Sequence, residues 1–152
     1  MLDHEGFLSL FERTKIDSKS SNSNMKPNDS KTNSTHSVLP PRRAFLDEKG
    51  QPLRLNAGRA GKSGRRKLCA VDWDGDGKLD LLVNSENANW LRQVQSKGGT
   101  WSFKDMGKLD SRYIASHDVS PTTVDWNGDG VPDFLGGAED GFFYFLRNPK
   151  SK

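Results

Sequence analysis

Apolar residues fall in short runs separated by Gly, Asp, Asn and Ser, and no stretch sustains the 3.6-residue period of a long helix. Lys67 to Val71 and Leu79 to Val83 are two such runs, each bounded by turn residues. Trp90 to Val94 and Thr100 to Phe103 follow, joined by Ser96-Lys97-Gly98-Gly99, which suits a tight hairpin. Further along, Thr122 to Asp125, Phe134-Leu135 and Phe142 to Leu146 repeat the first three runs. The pattern predicts an all-β chain with four antiparallel strands to a repeat.

The repetition extends to the residues between the strands. The segment from Ala70 to Asp80 overlays the one from Thr123 to Asp133 at an offset of 53 residues. The register continues without a gap, so that Leu82 meets Leu135, Glu86 meets Glu139 and Trp90 meets Phe143. A period of about 50 residues is typical of propeller blades, in which one unit cannot bury its own face. Near the start, Glu5-Gly6-Phe7-Leu8-Ser9-Leu10-Phe11 resembles Asp140-Gly141-Phe142-Phe143-Tyr144-Phe145-Leu146, a turn followed by an apolar strand. The expected fold is thus a set of β-propeller blades, four-stranded antiparallel sheets in a partial or fragmentary propeller. Residues 1–16 and 42–66 would supply strands of a partial blade and its connection onward. Residues 67–106 would form a complete blade, 107–120 a connection and 121–149 a second, incomplete blade.

Composition sharpens this outline. The chain has 152 residues, enough for one domain, but only 32% are hydrophobic, so some segments cannot pack. Between Asp17 and Ser37, 11 of 21 residues are Ser or Asn, and Met25 is the only aliphatic one. Residues 17–41 are therefore expected to be a disordered insertion between two strands. Its sequons at Asn28 and Asn33 are what such a tract produces by chance. A net charge of +3 does not by itself indicate nucleic acid, and no apolar run reaches the roughly 18 residues of a membrane span. Asp3, His4 and Glu5 interrupt the start, so no signal peptide is visible. The single Cys69 excludes an internal disulfide and a cysteine zinc cluster, and its apolar strand predicts a buried thiol.

The chemistry is concentrated in two Asp-rich loops. In the first, Asp72, Asp74 and Asp76 alternate, Gly77 makes the turn, and Asp80 closes at position nine. Oxygens at positions one, three and five converge when the chain coils tightly, and the carbonyl of Lys78 can add another. Hard oxygens at this density suit calcium better than magnesium, zinc or copper. The second loop repeats the set with Asp125, Asn127, Asp129 and Asp133, the turn at Gly130 and the carbonyl of Val131. A metal-free Asp-Gly hairpin would explain one such loop, but not two with one spacing in one strand context. An EF-hand fails because position twelve is Val83 or Gly136 and the flanks read as strands.

These loops, followed by Asp80-Leu81-Leu82-Val83 and Asp133-Phe134-Leu135-Gly136, resemble FG-GAP/VCBS repeats. The resemblance covers about residues 43 to 149. It implies a β-propeller with one Ca2+ per blade, hence two calcium sites, in the loop between the first two strands. Trp73 and Trp126 make the loops look more like those of bacterial secreted members than integrin ones. Equivalent repeat positions predict that both tryptophans pack between blades, with Trp90 and Trp101 in the core.

A basic run, Arg59, Lys62, Arg65, Arg66 and Lys67, could meet an acidic polymer, with His117 near the rim. Asn56 to Ser63 falls one glycine short of a phosphate-binding P-loop and precedes a strand, which excludes that function. The expected function is a calcium-binding module for extracellular or cell-surface (or periplasmic) binding or adhesion, with a polysaccharide or cell-surface protein as partner. Further blades or self-association are expected, nucleic acid is not. The alternative is the propeller portion of a secreted polysaccharide lyase or other carbohydrate-active enzyme, for which His117 and the basic run are the only hints.

Overall fold

A computed structural model describes residues 6–11, 42–55, 66–85, 87–114 and 119–152. The described residues form strands and turns, with no helix. The strands are β1 (Ser9–Leu10), β2 (Arg43–Ala44), β3 (Leu46–Asp47), β4 (Leu68–Val71), β5 (Asp80–Val83), β6 (Asn89–Lys97), β7 (Thr100–Lys108), β8 (Ser120–Val124), β9 (Asp133–Gly137) and β10 (Phe143–Leu146).

In the first repeat, β4, β5, β6 and β7 form the antiparallel four-stranded sheet that the pattern predicts. The β6–β7 hairpin turns at Gly98 and Gly99, with φ of 60° and 76°. Two successive positive φ values match the right-handed strand twist, and glycine meets them without steric cost. In the second repeat, β8, β9 and β10 form a three-stranded antiparallel sheet. The fold is all-β, built of small sheets like a fragment of a propeller.

The segment before the first repeat is tied to it in a way the pattern does not announce. β1 pairs with β2, and β3 adds to the outer edge of the first sheet, parallel to β7, with Leu46 opposite Ser102. A two-residue strand carries no periodicity of its own, so its pairing is set by its neighbours. Gly6, with φ of 86°, and Gly141, with φ of 85°, occupy the same place ahead of their apolar strands.

β5 is buried at all four positions and explains how the layers stack. Successive side chains of a strand point to opposite faces. Leu82 joins a core with Trp73, Val119, Phe134 and Leu146, which is the seam between the two repeats. Leu81 and Val83 join the other core, with Leu8, Leu53, Leu91 and Phe103, which lies beneath the N-terminal strands. Fully burying a side chain such as Leu82 or Phe134 stabilises the fold by about 1.5–3 kcal/mol. The first sheet is thereby covered on both faces.

Four residues depart from expectation. Trp126 is exposed, not packed between repeats, because none of the described strands covers its face of the second sheet. Cys69 is only half-buried, since β4 lies at the edge of its sheet and alternates between exposed and intermediate positions. Trp90 and Trp101 are likewise half-buried, each packed against the margin of a core. The Ser/Asn-rich stretch 17–37 and its sequons, the stretch from Asn56 to Ser63, Arg59, Lys62, Arg65 and His117 lie outside the described residues.

Candidate metal centre

The first loop joins β4 to β5, and its course is set by glycine and by carboxylates that cap main-chain N–H groups. Gly75 and Gly77 have φ of 69° and 82°, a left-handed conformation that costs L side chains energy. Asp72 accepts the N–H of Asp76 at 3.0 Å and that of Gly77 at 2.9 Å. Asp74 accepts the same Asp76 N–H at 3.2 Å, and Asp76 accepts the N–H of Lys78 at 3.0 Å. This coil brings one carboxylate oxygen from each of Asp72, Asp74 and Asp76 within 4.8 Å of one another.

The second loop, between β8 and β9, repeats the coil. Gly128 and Gly130 have φ of 74° and 82°. Asp125 accepts the N–H groups of Gly128 at 2.8 Å, Asp129 at 3.0 Å and Gly130 at 2.9 Å. Asn127 Oδ1 accepts Asp129 N–H at 3.3 Å, and Asp129 accepts Val131 N–H at 2.9 Å. Equivalent positions therefore do equivalent work in both loops, and Asn127 does with its amide oxygen what Asp74 does with a carboxylate.

Positive charge gathers on the first loop. Lys78 Nζ lies 2.7 Å from Asp76 Oδ2 and Arg92 Nη2 lies 3.2 Å from the same oxygen. Arg92 Nε is 2.6 Å from Asp74 Oδ2, an ion contact not aligned as a hydrogen bond. The hydrogen bond from the Lys78 side chain is the chief cause that holds the Asp76 carboxyl below its ordinary value, outweighing desolvation. On the second loop, Asp129 Oδ2 accepts Lys152 N–H at 2.6 Å, Ser151 Oγ at 2.9 Å and Asn127 Nδ2 at 3.0 Å. The main-chain bond from Lys152, then that from Asn127, holds Asp129 well below the usual carboxylate range.

The ninth positions differ from the rest. Asp80 and Asp133 are fully buried, and Asp80 stands outside the group formed by Asp72, Asp74 and Asp76. Asp80 accepts Gln93 N–H at 2.7 Å and Trp90 Nε1–H at 2.9 Å, both from β6. Burial pushes its carboxyl up, and those two hydrogen bonds counter part of the rise. Asp133 accepts Asn148 N–H at 2.8 Å just beyond β10. Each of these carboxylates ties the second strand of its repeat to the chain that follows. Lys78 and Val131, expected to offer carbonyls, meet the loops here through N–H groups, and Lys78 also through its ammonium. Arg66 is distant in role, donating from Nη1 to the carbonyl of Asn84 at 3.0 Å.

Sequence reasoning misses Arg92, Asn148 and Lys150. Arg92 follows Trp90 by two positions, and that alternation on β6 is the signal that both reach the loop side. Asn148 Nδ2 donates to the carbonyls of Trp73 and Pro132, each at 3.0 Å, and Lys150 Nζ donates to the carbonyl of Asp74. No pattern announces a tail that folds back onto a loop 75 residues earlier. A cavity of about 290 Å³ opens between the two loops, lined by Asp72, Trp73, Gly130 and Lys150 among others. A larger one, about 470 Å³, lies apart from them beside Asp47, Arg54, Arg66 and Asp105.

The donor set fits calcium. Two oxygens each about 2.4 Å from a central ion lie up to about 4.8 Å apart, and the three converging carboxylates meet that limit. All donors are hard oxygens, with no thiolate or imidazole that would favour zinc or copper.

No curated protein and no solved structure matches this chain. Residues 72–136 match the profile of the FG-GAP-like repeat family, a span that opens on Asp72 and takes in both Asp-rich loops. Over that span the chain is similar to FG-GAP-like repeats, which fits the propeller-like sheets described above.

Proposed function

We propose that the two loops bind one calcium ion each and that the chain serves outside the cell as a binding or adhesion module. The observation that carries this is the convergence of Asp72, Asp74 and Asp76 within 4.8 Å. Three carboxylates so close repel one another, and Lys78 and Arg92 offset only part of that charge. A divalent ion offsets more, displacing the Lys78 ammonium from Asp76. The second loop has the same coil with one fewer negative charge, and Asp129 keeps its carboxylate ionised for a cation. Loops of this charge count suit the high calcium levels outside the cell. The partner in this reading is a carbohydrate or a cell-surface protein, in keeping with the resemblance to secreted and cell-surface repeats.

Calorimetric titration and thermal melts test the metal. Calcium should bind at two sites and raise the melting temperature, chelator should reverse the effect, and magnesium should do much less. A ligand that binds only the folded chain stabilises it by about 2.7 kcal/mol at a hundredfold excess over Kd. A melting curve indifferent to calcium and chelator would refute the reading.

A further inference from the structure

The two loops coil alike, but different side chains stand beside them. β5 pairs with β6 so that Leu81 faces Leu91 and Leu82 faces Trp90, and this register sets Arg92 at the end of the first loop. From there Arg92 Nε lies 2.6 Å from Asp74 Oδ2, and Nη2 lies 3.2 Å from Asp76 Oδ2. The other oxygen of each carboxylate is engaged by the coil itself: Asp74 Oδ1 accepts Asp76 N–H, and Asp76 Oδ1 accepts Lys78 N–H. One guanidinium therefore spans the two carboxylate oxygens that the coil's main chain does not use. Shifted by the 53-residue period, Arg92 corresponds to Phe145 and Lys78 to Val131, neither of which carries a charge. Phe145 instead packs against Trp126, with ring centroids 5.6 Å apart. The paired bases thus belong to the first loop and not to the repeat.

Such a base has opposite consequences with and without a divalent ion. Without one, the charge of Arg92 relieves the repulsion among Asp72, Asp74 and Asp76 and helps to hold the coil. With one, the same charge must either leave the carboxylate oxygens or stay beside the ion and repel it. Both courses weaken binding, and they take back part of what the extra carboxylate gives the first loop. Lys78 belongs to the loop, and its long side chain can swing away to solvent. Arg92 is less free to do so, because β6 is fixed by pairing with β5 on one side and β7 on the other.

We infer that Arg92 is an internal counterion of the first loop, which stabilises the metal-free coil and lowers its affinity for calcium. The role rests on the calcium reading of the loops, and two measurements separate them. Calorimetric titration of the full 152-residue chain gives the calcium affinities, and melts in chelator give the stability of the metal-free chain. Arg92→Gln should lower the melting temperature in chelator yet tighten calcium binding at one site by at least about fivefold. The other site should keep its affinity. A side chain that only braced the loop would, when removed, weaken stability and binding together. Lys104→Gln removes a cation that pairs opposite Arg92 on β7 but contacts Glu48 at 3.8 Å, and it should leave calcium binding unchanged. Arg92→Lys keeps the charge without spanning both oxygens; it should tighten binding less, and it serves should Arg92→Gln fail to fold. Calcium binding by the wild-type chain with no gain in either Arg92 variant would overturn the inference and leave the calcium reading standing. So would an equal gain in Lys104→Gln. Calcium bound by neither the wild-type chain nor the variants would overturn both.

Discussion

Replacing Asn148 by Ala removes a buried polar link between the second repeat and the first loop. The side chain is almost fully buried, and its Nδ2 donates to the carbonyls of Trp73 and Pro132 at 3.0 Å each. Its Oδ1 accepts the N–H of Lys150 at 3.0 Å, while its main-chain N–H holds Asp133 and is unaffected by the change. A net hydrogen bond contributes about 1 kcal/mol, and a buried carbonyl left without a donor costs about 1–3 kcal/mol. One donor is lost to the buried carbonyl of Trp73 and one to the half-buried carbonyl of Pro132, so the expected destabilisation is about 3 kcal/mol, within about 2–4. At about 2–4 °C per kcal/mol for a chain of this size, the melting temperature should fall by roughly 6–12 °C. The period supplies a control: the position 53 residues earlier is Gln95, which is exposed on β6. Gln95→Ala should change stability by no more than about 0.5 kcal/mol. Urea denaturation in chelator-containing buffer, with fluorescence and circular dichroism followed together, measures both. A loss under about 1 kcal/mol for Asn148→Ala, or equal losses for the two variants, would refute the assignment of this side chain to the seam.

Asp76→Ala should lose more calcium-dependent stabilisation than Asp129→Ala, because the first loop carries one more carboxylate than the second; melts with and without calcium measure it. Gly130→Ala should cost about 1–2 kcal/mol in chelator, as its φ of 82° disfavours a Cβ although nothing lies within 4 Å of one. Phe134→Ala, at the fully buried centre of the seam, should cost about 3–5 kcal/mol by urea denaturation. Asp110 should titrate near 2 in an NMR pH series, held down chiefly by the side-chain hydrogen bond from Arg112, and Arg112→Ala should return it toward 3.8. The folded value is depressed, so any stability from this pair is present above about pH 4 and lost as pH falls toward 2.

Strands that alternate and loops that repeat were legible because both are local. The runs around Leu82 and Leu135, the Gly98-Gly99 turn and the coiling of Asp72 to Asp76 depend on residues a few positions apart, and each appears where the pattern puts it. What was not legible depends on partners distant in the chain. The parallel pairing of Leu46 with Ser102 has no sequence period to reveal it. Trp126 has the same local setting as Trp73, and what separates the two is that, among the described residues, a second sheet covers Trp73 and none covers Trp126. Asp80 and Asp133 show a different kind of ambiguity. A carboxylate at position nine serves equally as a cation ligand or as an acceptor for N–H groups, and spacing alone cannot tell these apart. The donors that occupy Asp80, Gln93 N–H and Trp90 Nε1–H, become apparent only once β6 lies beside β5.

The two loops also differ in what their order supports, and this follows from the seam. The first loop is held from both sides: Trp73 is in the inter-repeat core, its carbonyl accepts Asn148, and the carbonyl of Asp74 accepts Lys150. Coiling of that loop and docking of the second repeat thus constrain the same few residues. Disorder in Asp72 to Asp76 would cost the seam Trp73 and two tail contacts together. The second loop is held differently: Trp126 lies exposed, and Asn127, Asp129 and the carbonyl of Pro132 bond to the tail of their own repeat at Asn148, Ser151 and Lys152. Repulsion among Asp72, Asp74 and Asp76 is accordingly felt between repeats as well as within a turn, and Arg92 and Lys78 sit where that repulsion is greatest. A cation bound in the first loop would act on the joint between the two sheets, whereas one bound in the second would act on the turn that holds it.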